Sequence, residues 1–79
     1  MKAELAVKRD GTILGMKVDD LTGIGPYSVY PRTSAVEGNQ TIRLAPGVYR
    51  FRDYAARLSV VFQNKTPMCQ YRAVGHPIA

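Results

Sequence analysis

The chain has 79 residues, with Lys and Arg outnumbering Asp and Glu by 11 to 6 for a net charge of +5, and its pI is near 9.7. A chain this short makes one small domain, 1–79, able to bury only about 60–65% of its unfolded surface. One cysteine, Cys69, excludes an internal disulfide framework, and with the single His76 it cannot close a structural zinc site. The longest apolar run falls far short of a membrane span and there is no secretory pattern at the start, so the expectation is a cytoplasmic protein without a membrane partner.

The first twenty residues carry the clearest pattern. Ala3, Leu5 and Val7 alternate with Lys2, Glu4, Ala6 and Lys8, and Asp10-Gly11 is a favoured two-residue hairpin turn. Leu14, Met16 and Val18 alternate on the far side. The predicted hairpin therefore joins strands at about 2–9 and 12–19, with Arg9 opposite Thr12. Val7 then faces Leu14, Leu5 faces Met16, and Ala3 faces Val18. On the other face Glu4 meets Lys17 and Lys2 meets Asp19, opposite charges across the ladder.

Residues 21–31 read as an irregular extended segment, since Gly23, Gly25 and Pro26 break regular structure. Gly23-Ile24-Gly25 lacks the third glycine and the helix signal of a phosphate-binding fingerprint. Tyr27 and Tyr30 read as packing anchors, with stacking on a nucleic-acid base as the alternative. Ser34 and Glu37 have the spacing of a capping box, which predicts one short helix near 34–45, although Gly38 and Asn39 weaken it. Strands are predicted near 48–52, where Tyr49 and Phe51 alternate with Arg50 and Arg52, and near 56–63, where Leu58, Val60 and Phe62 share a face. An irregular loop follows. The expected architecture is α+β, a mostly antiparallel sheet of three or four strands with one helix.

The sequence excludes most enzymatic constellations. Asp19 and Asp20 point to opposite faces of a strand and cannot act as paired carboxylates. Cys69, three residues before Arg72, reads as a small hydrophobe, and His76 has no second ligand nearby. The chain by itself is expected to have no catalytic residue. The seven arginines (Arg9, Arg32, Arg43, Arg50, Arg52, Arg57 and Arg72) are spread along the chain, which argues against a nucleic-acid patch. A stand-alone basic β-rich module for RNA or a protein partner, using Tyr27, Tyr30, Arg50 and Arg52, is the rival reading, with salt-dependent oligonucleotide binding as its mark. Self-association through an exposed apolar face is a third. The closing stretch Tyr71-Arg72-Ala73-Val74-Gly75-His76-Pro77 stands apart. Its residue chemistry allows an anion-binding loop with main-chain donors and one guanidinium, or an ordinary arginine paired with a carboxylate elsewhere.

Read end to end, the chain resembles an internal segment of the large, molybdopterin-binding subunit of the molybdenum hydroxylases, the family of xanthine dehydrogenase, aldehyde oxidase and aerobic carbon monoxide dehydrogenase. Glu4, Ala6, Asp10, Gly11 and Ile13 match its hairpin motif, and Gly25-Pro26-Tyr27 stands where the family commonly shows Gly-Ala-Tyr. Pro46-Gly47-Val48-Tyr49 and Asn64-Lys65-Thr66-Pro67 lead to Tyr71–Pro77, similar to the family's aromatic-Arg-Gly-x-Gly-x-Pro signature. The resemblance implies a fragment of an oxidoreductase that hydroxylates a carbon centre with water as oxygen source. It places Arg72, Ala73 and Gly75 at the molybdopterin (molybdenum) cofactor and Val74 in the substrate pocket. Partners would be the remainder of the large subunit and iron–sulfur and flavin subunits or domains. Ala73 departs from the usual glycine, which matters if the position needs a positive φ, and it stands where the carbon monoxide enzymes carry cysteine. The glutamate base, the pterin-binding glutamine and most dithiolene contacts are absent, so this chain alone is expected neither to turn over substrate nor to hold the cofactor.

Overall fold

A computed structural model describes residues 1–31 and 33–79; Arg32 lies outside them. Strand β1 (Lys2–Val7) pairs antiparallel with β2 (Ile13–Gly23), helix α1 covers Val36–Leu44, and β3 (Asp53–Val61) completes a sheet of order β1-β2-β3. The α+β class holds. The expected pairs Lys2–Asp19, Ala3–Val18, Glu4–Lys17 and Leu5–Met16 are all present, because a one-residue slip would face like with unlike on both sides of the sheet.

The turn differs from the two-residue expectation. Gly11 N–H donates to Lys8 C=O (3.0 Å) and Lys8 N–H to Thr12 C=O (2.9 Å). Only Gly11 has a positive φ (88°) in this turn, whereas a two-residue Asp10-Gly11 turn needs a positive φ at Asp10 as well (type I′) or instead (type II′). The register then shifts between Ala6 and Val7, so that Val7 faces Ile13 and Leu14 is the extra residue of a β-bulge. The predicted Val7–Leu14 pair is lost to that bulge.

The mostly antiparallel sheet is a second correction. β2 and β3 run parallel through nine pairs, from Gly15–Asp53 to Gly23–Val61. Parallel neighbours need a crossover, and residues 24–52 with α1 supply it. β2 also continues to Gly23, past the expected end at 19. The separate strand at 48–52 does not form; Tyr49 and Phe51 pack on each other (ring centroids 6.5 Å apart, tilted 42°), and the strand begins only at Asp53. There are thus three strands among the described residues.

Helix α1 starts without the capping box. Ala35 is the N-cap and no side chain caps the helix, because the Ser34 hydroxyl is engaged elsewhere. Gly38, costly in a helix by propensity, is explained by packing: a Cβ there would sit 2.8 Å from Leu58 Cδ1 and 2.8 Å from Thr22 Oγ1. The helix therefore rides close on the sheet face that carries Thr22 and Leu58.

Among the described residues only Val18 (1% exposed) and Ile24 (4%) are buried hydrophobic residues, while Leu5, Val7, Leu21 and Phe62 are exposed. Among the described residues no helix or strand packs over the apolar side chains of β1, Leu5 and Val7. The molecule measures 46 × 21 × 15 Å with a radius of gyration of 14.5 Å, against about 12 Å for a compact domain of this length.

Candidate functional site

The closing loop is fixed by two anchors. Upstream, the segment after β3 wraps the end of β2: Ile24 N–H donates to Val61 C=O (3.0 Å), Gln63 N–H to Gly25 C=O (2.9 Å), and Met68 N–H to Ile24 C=O (3.1 Å). The Ser34 hydroxyl, fully buried, donates to Met68 C=O (2.7 Å) and accepts from Val29 N–H (3.1 Å). Gln70 Nε2 donates to Ser34 C=O (3.1 Å).

Downstream, Gly75 is buried against α1. It has φ +86°, and a Cβ there would meet Glu37 O at 2.7 Å, Thr41 N at 2.8 Å and Thr41 Oγ1 at 2.8 Å. Two of those three atoms are backbone and cannot swing aside, so only glycine fits. The Thr41 hydroxyl itself donates to Glu37 C=O (2.9 Å).

Between these anchors Tyr71 (91% exposed), Arg72 and Ala73 face outward, and Val74 is half-buried. Ala73 has φ 61°, the one non-glycine positive φ among the described residues. The left-handed region costs an L-residue about 1–2 kcal/mol. His76 N–H donates to Ala73 C=O (2.7 Å), closing a turn. Among the described residues, no amide from Tyr71 to Gly75 donates a main-chain hydrogen bond, and the Arg72 guanidinium has no carboxylate partner. An exposed guanidinium beside unpaired amides in a turn with left-handed residues is the donor set that suits an anionic or oxo group. The structure thus brings Arg72, Ala73, Val74 and Gly75 into one loop, and the donors present fit the oxygen-rich ligand that the sequence resemblance implies.

The other candidates disperse. Asp19 and Asp20 do point to opposite faces: Asp19 lies 3.8 Å from Arg57 at the surface, whereas Asp20 is buried and accepts from the Thr22 hydroxyl at 2.8 Å. Arg52 is hydrogen-bonded to Asp53 at 2.9 Å, which raises its pKa further, and lies on no strand with Arg50. Tyr27 and Tyr30 are exposed rather than packing anchors. Cys69 and His76 are exposed, and no cluster of three metal-ligating side chains exists among the described residues. Nor is any helix there long and apolar enough to cross a membrane. An open concavity of about 610 Å³ lies over the sheet between Glu4–Ala6, Gly15–Lys17 and Arg52–Ala55, and no residue of the closing loop lines it. Sequence reasoning missed Ser34 and Gln70 as supports of the loop; they meet across more than thirty residues, and only the odd spare polar side chains hinted at them.

This architecture, a mixed sheet and helix holding a donor-rich loop at one end, belongs to a cofactor-binding class. The chain is a member of the molybdopterin cofactor-binding domain family, which it matches over residues 1–79. It is 39% identical over 74 residues to the 6-hydroxypseudooxynicotine dehydrogenase complex subunit gamma of Paenarthrobacter nicotinovorans, an alignment covering 94% of this chain and 9% of that protein. The chain therefore spans about a tenth of the length of the curated relative it matches. No solved structure matches it.

Proposed function

We propose that this chain forms one wall of the molybdenum site of a molybdopterin-dependent oxidoreductase acting on aldehydes, N-heterocycles or related substrates. The carrying observation is the loop of Arg72 to Gly75, whose amides and guanidinium have no acceptor among the described residues and which is held upstream through Met68 and downstream by Gly75 on α1. The bound cofactor would supply the two-electron oxidation of a carbon centre with water as oxygen source. This chain's part is to bind and orient. Arg72 and the amides of Ala73 and Gly75 would hold the cofactor, and half-buried Val74 would present an apolar surface to substrate.

The reading places the protein in a multi-subunit assembly, since the relative is named as a subunit of a dehydrogenase complex. Iron–sulfur and flavin partners would take the electrons. The 79-residue chain alone carries half of a site and is expected to give no turnover. In the intact protein, Arg72→Ala should lower turnover about 100-fold, the scale of losing one preorganised donor at a reacting centre. Wild-type turnover with unchanged molybdenum content in that variant would refute the assignment.

A further inference from the structure

Ser34 and Gln70 lie outside the proposed cofactor contacts, yet their bonding is unusually complete. Ser34 is fully buried, and all of its polar atoms are used. Its N–H donates to Ser28 Oγ (3.0 Å), its hydroxyl donates to Met68 C=O (2.7 Å) and accepts from Val29 N–H (3.1 Å), and its carbonyl accepts from Gln70 Nε2 (3.1 Å). Gln70 Nε2 also approaches Thr33 C=O at 3.5 Å. These bonds tie two segments far apart in the chain, 28–34 and 68–70. The second runs directly into Tyr71 and Arg72.

We infer that the Ser34–Gln70 clasp is a positioning device, setting where the Arg72–Val74 turn stands relative to α1, on which Gly75 is seated. The turn has left-handed residues at Ala73 and Gly75, and such a turn is held only if both of its ends are fixed. Gly75 on α1 fixes one end and the clasp fixes the other. Both residues act through the loop and neither need touch the cofactor. The Gln70 side chain has a specific polarity: its Nε2 faces carbonyl oxygens, and its buried Oε1 has no partner among the described residues. A carboxylate there would repel those carbonyls while keeping the same shape.

This inference rests on the proposed molybdenum site only for its functional readout. The test uses the intact protein carrying Gln70→Glu, Gln70→Met and Ser34→Ala, with Val48→Ala, at an exposed site, as control. Hydrogen exchange is followed at the His76 amide, which closes the turn and bonds neither residue. Molybdenum content per chain and the paramagnetic-resonance spectrum of the metal that remains bound are measured alongside. Loss of one hydrogen bond should speed His76 exchange about five- to tenfold in the three variants, lower molybdenum content and shift the spectrum, with Val48→Ala unchanged. His76 exchange at the wild-type rate in all three overturns the clasp, whatever the metal does. Faster exchange in the variants, with a wild-type protein that itself binds no molybdenum, instead leaves the clasp standing and removes the proposed function. Faster exchange with wild-type metal content and spectrum shows a merely structural tie and overturns the positioning role.

Discussion

Ala73 offers the sharpest quantitative test of the loop. At φ 61° it occupies the left-handed region, where its Cβ crowds the following carbonyl at a cost of about 1–2 kcal/mol. Glycine removes that clash, but its freer unfolded chain gives back about 0.4–1 kcal/mol. The difference predicts that Ala73→Gly stabilises the chain by about 0.5–1 kcal/mol. Because Gly75 is pressed on Glu37 and Thr41, the loop is expected to release with α1 and report in global unfolding. With a urea dependence near 1 kcal/mol/M for so small a chain, the midpoint should rise by roughly 0.5–1 M. A graded series strengthens the test. Asn tolerates left-handed backbone and should fall between Gly and Ala, whereas Val, branched at Cβ, should fall below Ala. A flat series, or Val at or above Gly, would refute a left-handed Ala73.

Gly38→Ala pits about 1 kcal/mol of helix propensity against overpacking of about 1–3 kcal/mol; Thr22 Oγ1, 2.8 Å from the new Cβ, is held by its bond to Asp20, so urea unfolding should show net destabilisation. Asp10 accepts Thr12 N–H at 2.9 Å, and that bond holds its carboxyl below the ordinary value of 3.8. Its contribution is present above pH 3.8 and is lost as pH falls through the folded value, so Asp10→Asn should flatten the stability profile in that acid window. Tyr54 donates to the Ile42 carbonyl, and burial pushes its hydroxyl above 10.0. The unfolded chain thus ionises first, stability declines from pH 10 upward, and Tyr54→Phe should abolish that decline in a pH series of melts.

What the sequence could disclose follows from what each signal encodes. Lys2–Asp19 and Glu4–Lys17 were legible because alternation and charge on the same short segment fix one register. The bulge at Leu14 was not, since Asp-Gly serves both the two-residue turn and the longer turn in which glycine alone is left-handed. The parallel direction of β3 was hidden for a different reason. Period-two alternation marks a strand but says nothing of its partner, and the Leu58–Val60–Phe62 face would suit either direction. At 48–52 alternation misled, because Tyr49 and Phe51 satisfy each other. The closing loop was found by its residue types, and its conformation bears out the doubt over Ala73. Its supports could not be read, because Ser34 shows the local spacing of a helix cap while its hydroxyl is committed to Met68.

The exposed surface bears on how such a site can be stable. A compact monomer of 8.7 kDa exposes about 4,700 Å², and this chain exposes 6098 Å², an excess of roughly 1,400 Å². Standard interfaces bury about 800 Å² per partner, so the excess exceeds one such face. Part of it lies on the β1 edge at Leu5 and Val7, in addition to larger exposures at Tyr30, Val48, Phe62 and Tyr71. Edge strands of stand-alone proteins are short, bulged or charged on the exposed rim; here the bulge falls on β2 at Leu14, and the β1 edge leaves Leu5 and Val7 half in water. The closing loop is tied instead to Ile24, whose carbonyl accepts Met68 N–H, and to α1 through Gly75. The chain thus ties its closing loop to Ile24 and α1 and leaves the β1 side of its hairpin exposed, an arrangement that suits a segment matching about a tenth of its relative's length.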